Sequence, residues 1–260
     1  MFEVWVPITI AAALFQNIRS SLQKYLKGVL STAGATYVRF FYAVPCVLLY
    51  ILILRYGFQY DMPEINSRFV FFAILGAFAQ IGGTALLVYL FSFRNFVVGT
   101  AFSKTETIQA AIFGLFILAD PITFWALIAI VVSLIGVILL AIAHQDFGIK
   151  KLFASLLHKT AIIGIASGAC YGVAAVSYRA ASLSLKSDSF VMSAAFTLVL
   201  VILFQTVTMG IYLLVKEPGQ LTAVCKAWKV AGVVGFTGMV ASAGWFTAMT
   251  IQNAAHVRAL

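Results

Sequence analysis

Long apolar runs separated by short polar stretches occupy almost the whole chain. A helix that crosses a bilayer needs about 20 mostly apolar residues. On that criterion the runs predict eight helices, over residues 4–26, 36–54, 69–91, 96–118, 123–143, 161–180, 190–215 and 230–250. The breaks between them carry turn chemistry, as in RYGFQYDMPEINS, ADP and KEPG. Asp120 followed by Pro121 is a helix-start signal, because an acid suits the helix dipole and proline suits the first turn. The longest connection, residues 144–159, is short, basic and amphipathic, as expected of a segment lying on the bilayer surface.

Composition supports this reading. Of 260 residues, 63% are hydrophobic and 10% charged, where a soluble domain carries about 25% charged residues. Mean hydropathy is +1.04. The fold class expected is therefore an all-α polytopic membrane protein, multi-pass, in a cell (inner) membrane. The net charge of +9 is not a nucleic-acid footprint. The basic residues stand singly between apolar runs, where they meet head groups and orient the chain. The N-terminus lacks a basic n-region and a cleavage site, so it reads as a retained first helix.

Two segments resemble each other. LGAFAQIGGTALLVYLFSFRNFVVGTA starts at Leu75 and VGFTGMVASAGWFTAMTIQNAAHVRAL at Val234. Each has a glycine-rich start, an aromatic second half, an asparagine (Asn95, Asn253) and a small-residue restart, at an offset of about 158 residues. This predicts two related halves, as many transporters have. The first repeat covers 1–143, the linker 144–159, and the second repeat 160–260. After Asn253 only AAHVRAL remains, so the second repeat is expected to be incomplete, with three helices and the start of a fourth.

The fourth run contains Lys104 and Glu106 among Val, Phe, Ala and Ile. Each charge near a helix centre costs about 2.5–3.5 kcal/mol on the insertion scale, and each large apolar residue returns about 0.3–0.6 kcal/mol. Such a helix does not face lipid comfortably. Two residues apart, the charges lie on different faces and cannot neutralise each other, so each needs its own partner. Arg19 is the partner expected for Glu106. Two readings stand: both charges line a wet cavity, with the helix unwound near 99–105, or Lys104 reaches the interface and Glu106 opens a shorter helix.

Gln16, Arg19, Ser20, Gln23 and Lys27 recur at three- and four-residue spacing on the first helix. Arg39 sits near the start of the second helix and Gln80 inside the third. Amides and cations on one face inside an apolar protein read as a cavity wall, and for Lys24 and Lys27 equally as emergence into water. Gly164, Gly168 and Gly172 form a row on the sixth helix, which predicts close helix packing. Tyr171, Tyr178 and Trp245 lie among such small-residue rows. With Gln109, these give the candidate cavity residues: Gln16, Arg19, Gln23, Arg39, Gln80, Lys104, Glu106, Gln109, Tyr171, Tyr178 and Trp245.

Cys46, Cys170 and Cys225 are far apart, and His144, His158 and His256 form no ligand pair. No metal site, cofactor site or catalytic constellation is expected, which leaves the lipid bilayer and a small-molecule substrate as partners and no nucleic acid.

AAALFQNIRSSLQKYL, GATYVRFFYAVP, AFSKTETIQAAIFG and AAHVRAL together resemble one branch of the EamA-type transporters, within the drug/metabolite transporter superfamily. The most specific pieces are Ser103–Glu106 (S-K-T-E) and Phe15–Arg19 (F-Q-x-x-R). The resemblance implies ten helices in two inverted five-helix repeats, a central cavity, small metabolites moved often outward, and no ATP-binding domain. It also implies two further helices after Leu260 and cytoplasmic termini, whereas the Lys and Arg count of the connections puts the N-terminus outside. The expected function is a secondary transporter. The alternatives are a truncated remnant, or a subunit needing a partner, for which pairing of two copies would cover the face left by the missing helices; a membrane-embedded enzyme is the third.

Overall fold

A computed structural model describes residues 3–93, 96–121 and 158–260, with residues 124, 127, 128, 130–132, 135, 136 and 139 between them. The described residues are helical, in the order α1 (Trp5–Leu26), α2 (Thr32–Phe41), α3 (Val44–Leu52) ending in a π-turn (Ile53–Gly57), α4 (Ser67–Leu90), α5 (Phe96–Ser103), α6 (Glu106–Leu118), α7 (Lys159–Ser184), α8 (Phe190–Lys216), α9 (Gln220–Lys226), α10 (Trp228–Ile251) and α11 (Ala254–Ala259). Among the described residues, five stretches are long and apolar enough to cross a membrane: Thr32–Gly57, Ser67–Leu90, Lys159–Ser184, Phe190–Lys216 and Trp228–Ile251. The expected fifth helix, apart from scattered positions, lies outside the described residues, as do the linker up to residue 157 and Asn95 of the repeat.

Two expected helices are each broken in two. The second, 36–54, divides at Tyr42–Ala43 because Pro45 has no N–H to donate and its ring excludes a continuous helix through the carbonyl four residues earlier. The fourth, 96–118, divides at Lys104–Thr105. There the amides of Lys104 and Thr105 bond three residues back, to Ala101 and Phe102. The hydroxyls of Ser103 and Thr105 donate to the carbonyls of Thr100 and Phe102, both at 2.7 Å. Hydroxyls that bond their own preceding turn compete with the regular ladder and bend a helix. The remaining starts follow capping rules: the Asn66 carbonyl accepts from the Phe69 amide at 2.8 Å, Ser189 caps α8 and Asn253 caps α11.

The surface is apolar and the interior is partly polar. Phe71, Phe116, Val207, Ile211 and Leu214 are exposed, while Arg19, Gln23 and Gln205 are among the most buried side chains. That is the distribution of a multi-pass membrane protein, whose outside faces hydrocarbon and whose polar groups must find partners within.

Two long helix pairs form the frame. α4 packs along α7 and α1 along α10, while α8 lies against both α2 and α3. Small residues set both pairs. Ser167 donates to the Gly83 carbonyl at 2.8 Å, and the Tyr178 hydroxyl to the Gly76 carbonyl at 2.9 Å. A Cβ at Gly244 would stand 2.8 Å from Ala12 Cβ.

The glycine row of α7 packs closely, as its spacing predicts, and its partner is the broken α5–α6 element. A Cβ on Gly164 would collide with the Gly99 carbonyl; on Gly168 it would lie 2.8 Å from the Ser103 carbonyl oxygen and 3.1 Å from the Glu106 nitrogen; on Gly172, 3.1 Å from the Ala110 nitrogen. These obstacles are backbone, which cannot rotate away.

Gly168→Ala should therefore destabilise the protein by about 1–3 kcal/mol through overpacking. Gly232→Ala, where nothing lies within 4 Å of the added atom, should be neutral or slightly stabilising, since alanine is the better helix former. Thermal unfolding of both variants in the same detergent checks this; equal transitions would contradict the close approach.

Candidate functional site

The break in the fourth expected helix faces a cavity of about 440 Å³ between the two helix pairs. α1 contributes Gln16, Asn17, Arg19, Ser20, Ser21 and Lys24. Arg39 comes from α2, Gln80 from α4, Thr100 and Ser103 from α5, and Glu106 from α6. Lys104 projects from the break, Tyr171 and Tyr178 from α7, Ser242, Trp245 and Phe246 from α10, and Arg258 from α11. Nine of the eleven candidates named from the sequence thus share one wall. Ser21 and Lys24 are exposed and stand at one end of it. Lys24 also covers the Phe96 ring at 3.8 Å, a cation–π contact.

Gln23 and Gln109 stand off that wall, and each ties helices together instead. Gln23 donates to the Ala35 carbonyl at 2.9 Å, holding α1 to α2. Gln109 donates to Thr105 Oγ1 at 3.2 Å and to the Ile165 carbonyl at 3.4 Å, holding the break against α7. The cavity-facing stripe of α1 runs through residues 16, 17, 20, 21 and 24. It shares 16 and 20 with the expected line through 16, 19, 20, 23 and 27 but is rotated from it, and Arg19 sits at its edge. Asn17, Ser21 and Lys24 repeat at three and four residues, a helical spacing that also marks this face.

Glu106 pairs with Arg258, not with Arg19 as expected. Arg258 Nε lies 3.0 Å from Glu106 Oε1, as an ion pair without the alignment of a hydrogen bond. The cause is topological. α11 packs on α6, and Thr107 donates to the Arg258 carbonyl at 2.9 Å, which brings the arginine over the first turn of α6. The guanidinium also stacks on Trp245, 4.3 Å from the ring centre.

Arg19 and Arg39 lie side by side. A Cβ on Gly238 would stand 3.2 Å from Arg19 Cδ and 3.5 Å from Arg39 Cγ, so the absence of a side chain there leaves room for both stems. Arg39 donates to Thr84 Oγ1 at 2.9 Å, and the Tyr171 hydroxyl reaches the same oxygen at 3.1 Å. Arg19 is 2% exposed. It reaches Ser20 Oγ at 3.3 Å, and its Nε has no hydrogen-bond partner among the described residues.

Below the arginines lies an uncharged network. Gln205 Nε2 donates to Gln80 Oε1 at 2.9 Å and to the Ala77 carbonyl at 3.1 Å, with the Tyr178 hydroxyl 2.9 Å from Gln80 Oε1. Tyr178 in turn stacks on Phe246, ring centres 4.4 Å apart. Gln205 and Thr84 stand behind the cavity wall and hold its residues in place, and the sequence reading misses both. A lone Gln or Thr in an apolar run is the only signal either leaves. Arg258 sits in AAHVRAL, and only its distance in sequence from Glu106 conceals the pairing.

At the far end from Lys24, Arg179 ties three elements together. It bonds Asp120 Oδ2 at 3.3 Å and the carbonyls of Met249 and Gln252, both at 2.6 Å, which closes the C-terminal end of α10. Cations at a helix C-terminus are favoured by the dipole.

Removing one member of the Glu106–Arg258 pair leaves the other uncompensated, so Glu106→Gln and Arg258→Gln should each destabilise by up to about 3 kcal/mol. The double variant should recover at least about 1 kcal/mol relative to additivity. A thermal or denaturant series in detergent measures the coupling, and strict additivity would show that the pair does not form.

No family model matches the chain and no curated protein matches it, so the functional reading rests on this geometry.

Proposed function

We propose that the chain is a secondary transporter of small metabolites, moving them through the central cavity between two inverted helical repeats, in the manner of the EamA-type transporters it resembles. The observation that carries this reading is one polar, charged cavity walled by both halves of an otherwise apolar helical bundle. Intramembrane ionisable groups facing a cavity mark a substrate or ion path. The inverted repeat is supported by reciprocal packing. α1 of the first half lies along α10 of the second, and α7 of the second along α4 of the first. An offset near 158 residues relates α1 to α7 and α4 to α10, so each pair exchanges equivalents. The broken helix supplies the kind of discontinuity from which transporter sites are built.

Alternating access is the defining property, and it is testable without knowing the substrate. With Cys46, Cys170 and Cys225 replaced, Thr100→Cys or Ser242→Cys places one thiol on the cavity wall. In oriented vesicles a membrane-impermeant thiol reagent should modify it from either side, at different rates. Modification from one side only would remove the transport reading.

The two ends of the bundle differ in charge. Lys24, Lys27, Lys159, Lys216, Lys226 and Lys229 lie at one end. At the other, Arg179 is bonded inward and Arg258 is in the cavity, which leaves, among the described residues, Arg55, Arg68 and Lys186 beside Asp61, Glu64 and Asp188. The positive-inside rule puts the lysine-rich end, with Ser21 and Lys24 of the cavity, in the cytoplasm. That orientation suits loading from the cytoplasm and export, and it reverses the one implied by the resemblance. Met62→Cys, on the exposed loop at the opposite end, should then be labelled by an impermeant reagent in intact cells; protection until the cells are opened would reverse the assignment.

A further inference from the structure

We infer that the cavity takes a small organic anion, a carboxylate on a flat apolar body, whose charge is received by Arg19 and Arg39. This rests on the reading of the cavity as a substrate site and names the class of substrate.

The argument starts from charge. Among the described residues, five cations line the cavity, Arg19, Lys24, Arg39, Lys104 and Arg258, against one carboxylate, Glu106. Glu106 is already held by Arg258. The other acids of the chain that the structure describes stand elsewhere: Asp120 on Arg179, Asp61 on Arg55, Glu217 on Ser31, and Glu3, Glu64 and Asp188 off the cavity wall. The surplus is therefore fixed and positive.

Arginine stays charged at any working pH, and a buried charge needs a partner. Arg19 is almost wholly buried on the wall of this cavity, with Nε unpartnered among the described residues. Among the described residues the hydrogen-bond partners of Arg39 beside it are neutral, the Thr84 and Tyr171 hydroxyls. Two adjacent guanidinium groups without a carboxylate repel each other, and an anion in the cavity relieves both. Arginine's fork of donors matches a carboxylate.

The rest of the wall describes the body of the ligand. Tyr171, Tyr178, Trp245 and Phe246 face the same space, and aromatic walls favour a flat apolar ring. A volume of about 440 Å³ falls in the usual range for a small-molecule pocket. A cationic substrate would enter against four uncompensated positive charges.

The test uses three probes of one shape: 2-naphthoate, 2-naphthamide and 2-naphthylmethylamine, titrated calorimetrically into the purified chain in phosphatidylcholine nanodiscs. The naphthoate should bind at least about tenfold more tightly than the amide or the amine, the size of a charge-assisted hydrogen bond. Arg19→Gln and Arg39→Gln should each weaken naphthoate by about tenfold or more, Lys24→Gln and Lys104→Gln less, and the surface control Lys186→Gln should change nothing. If one Arg→Gln variant fails to fold, the other variant and the probe series on the unaltered chain still decide. An amide or amine that binds as tightly as the naphthoate, no binding by any probe, or folded Arg→Gln variants that bind like the unaltered chain would each overturn the inference. A preference for the amine would overturn the anion site and leave the cavity, and the transport reading, standing. Naphthoate binding in a chain whose cavity is labelled from one side only would keep the anion site and remove transport.

Discussion

The close approach between the glycine row of α7 and the backbone of α5 and α6 holds the cavity wall in place. Gly168 faces both sides of the break, the Ser103 carbonyl and the Glu106 nitrogen. A side chain there would press on the backbone of both segments that carry Lys104 and Glu106. Polar groups freed by a broken helix need partners inside a membrane protein. Here Ser103, Thr105 and Gln109 supply them locally, and the glycines let a second helix press close enough to exclude lipid.

The same logic runs through the other helix pair. Gly238 sits under the stems of Arg19 and Arg39, and Gly244 against Ala12. Small residues on α7 and α10 thus serve two purposes: they bring helices into contact, and they leave volume beside the contact for long charged side chains. Helix association in lipid has no hydrophobic drive between helices and depends on this packing. The interior network of Gln80, Gln205 and Tyr178 adds hydrogen bonds of modest individual value, about 0.6 kcal/mol each, and defines the floor of the cavity.

Period and cost decide how much of this is legible in the sequence. Helix positions are readable because a span's length is set by the bilayer, so 69–91 corresponds to α4 and 190–215 to α8 within one or two residues. The glycine row is readable because its four-residue spacing puts it on one face. The two breaks are less so. Pro45 carries a known signal, whereas the break at Lys104–Thr105 needs hydroxyls bonding their own turn, which hydropathy does not register. Within the site, the position of Gln16, Arg39 or Tyr178 on an apolar helix reveals a polar group that must be sheltered, but not by what. Gln23 and Gln109 show the difference: both are sheltered, one by a carbonyl of α2 and one by α7. Pairings such as Glu106 with Arg258 depend on tertiary contact between distant helices, about which local pattern says nothing.

Charge placement then separates structure from function. Three described ion pairs account for Arg55, Arg179 and Arg258. Each has an evident structural role: Arg55 braces a loop, Arg179 closes a helix end, and Arg258 joins α11 to α6. Arg39 reaches from α2 to Thr84 of α4, but neither it nor Arg19 has a carboxylate partner among the described residues. A fold needing only stability would be better served by well-packed apolar residues of similar volume, because a buried charge carries a desolvation penalty even when paired. Two adjacent, buried guanidinium groups with neutral neighbours raise that penalty further. The proposed anionic ligand would offset that penalty while bound. A resident carboxylate would satisfy the arginines permanently and hold the cavity closed around them.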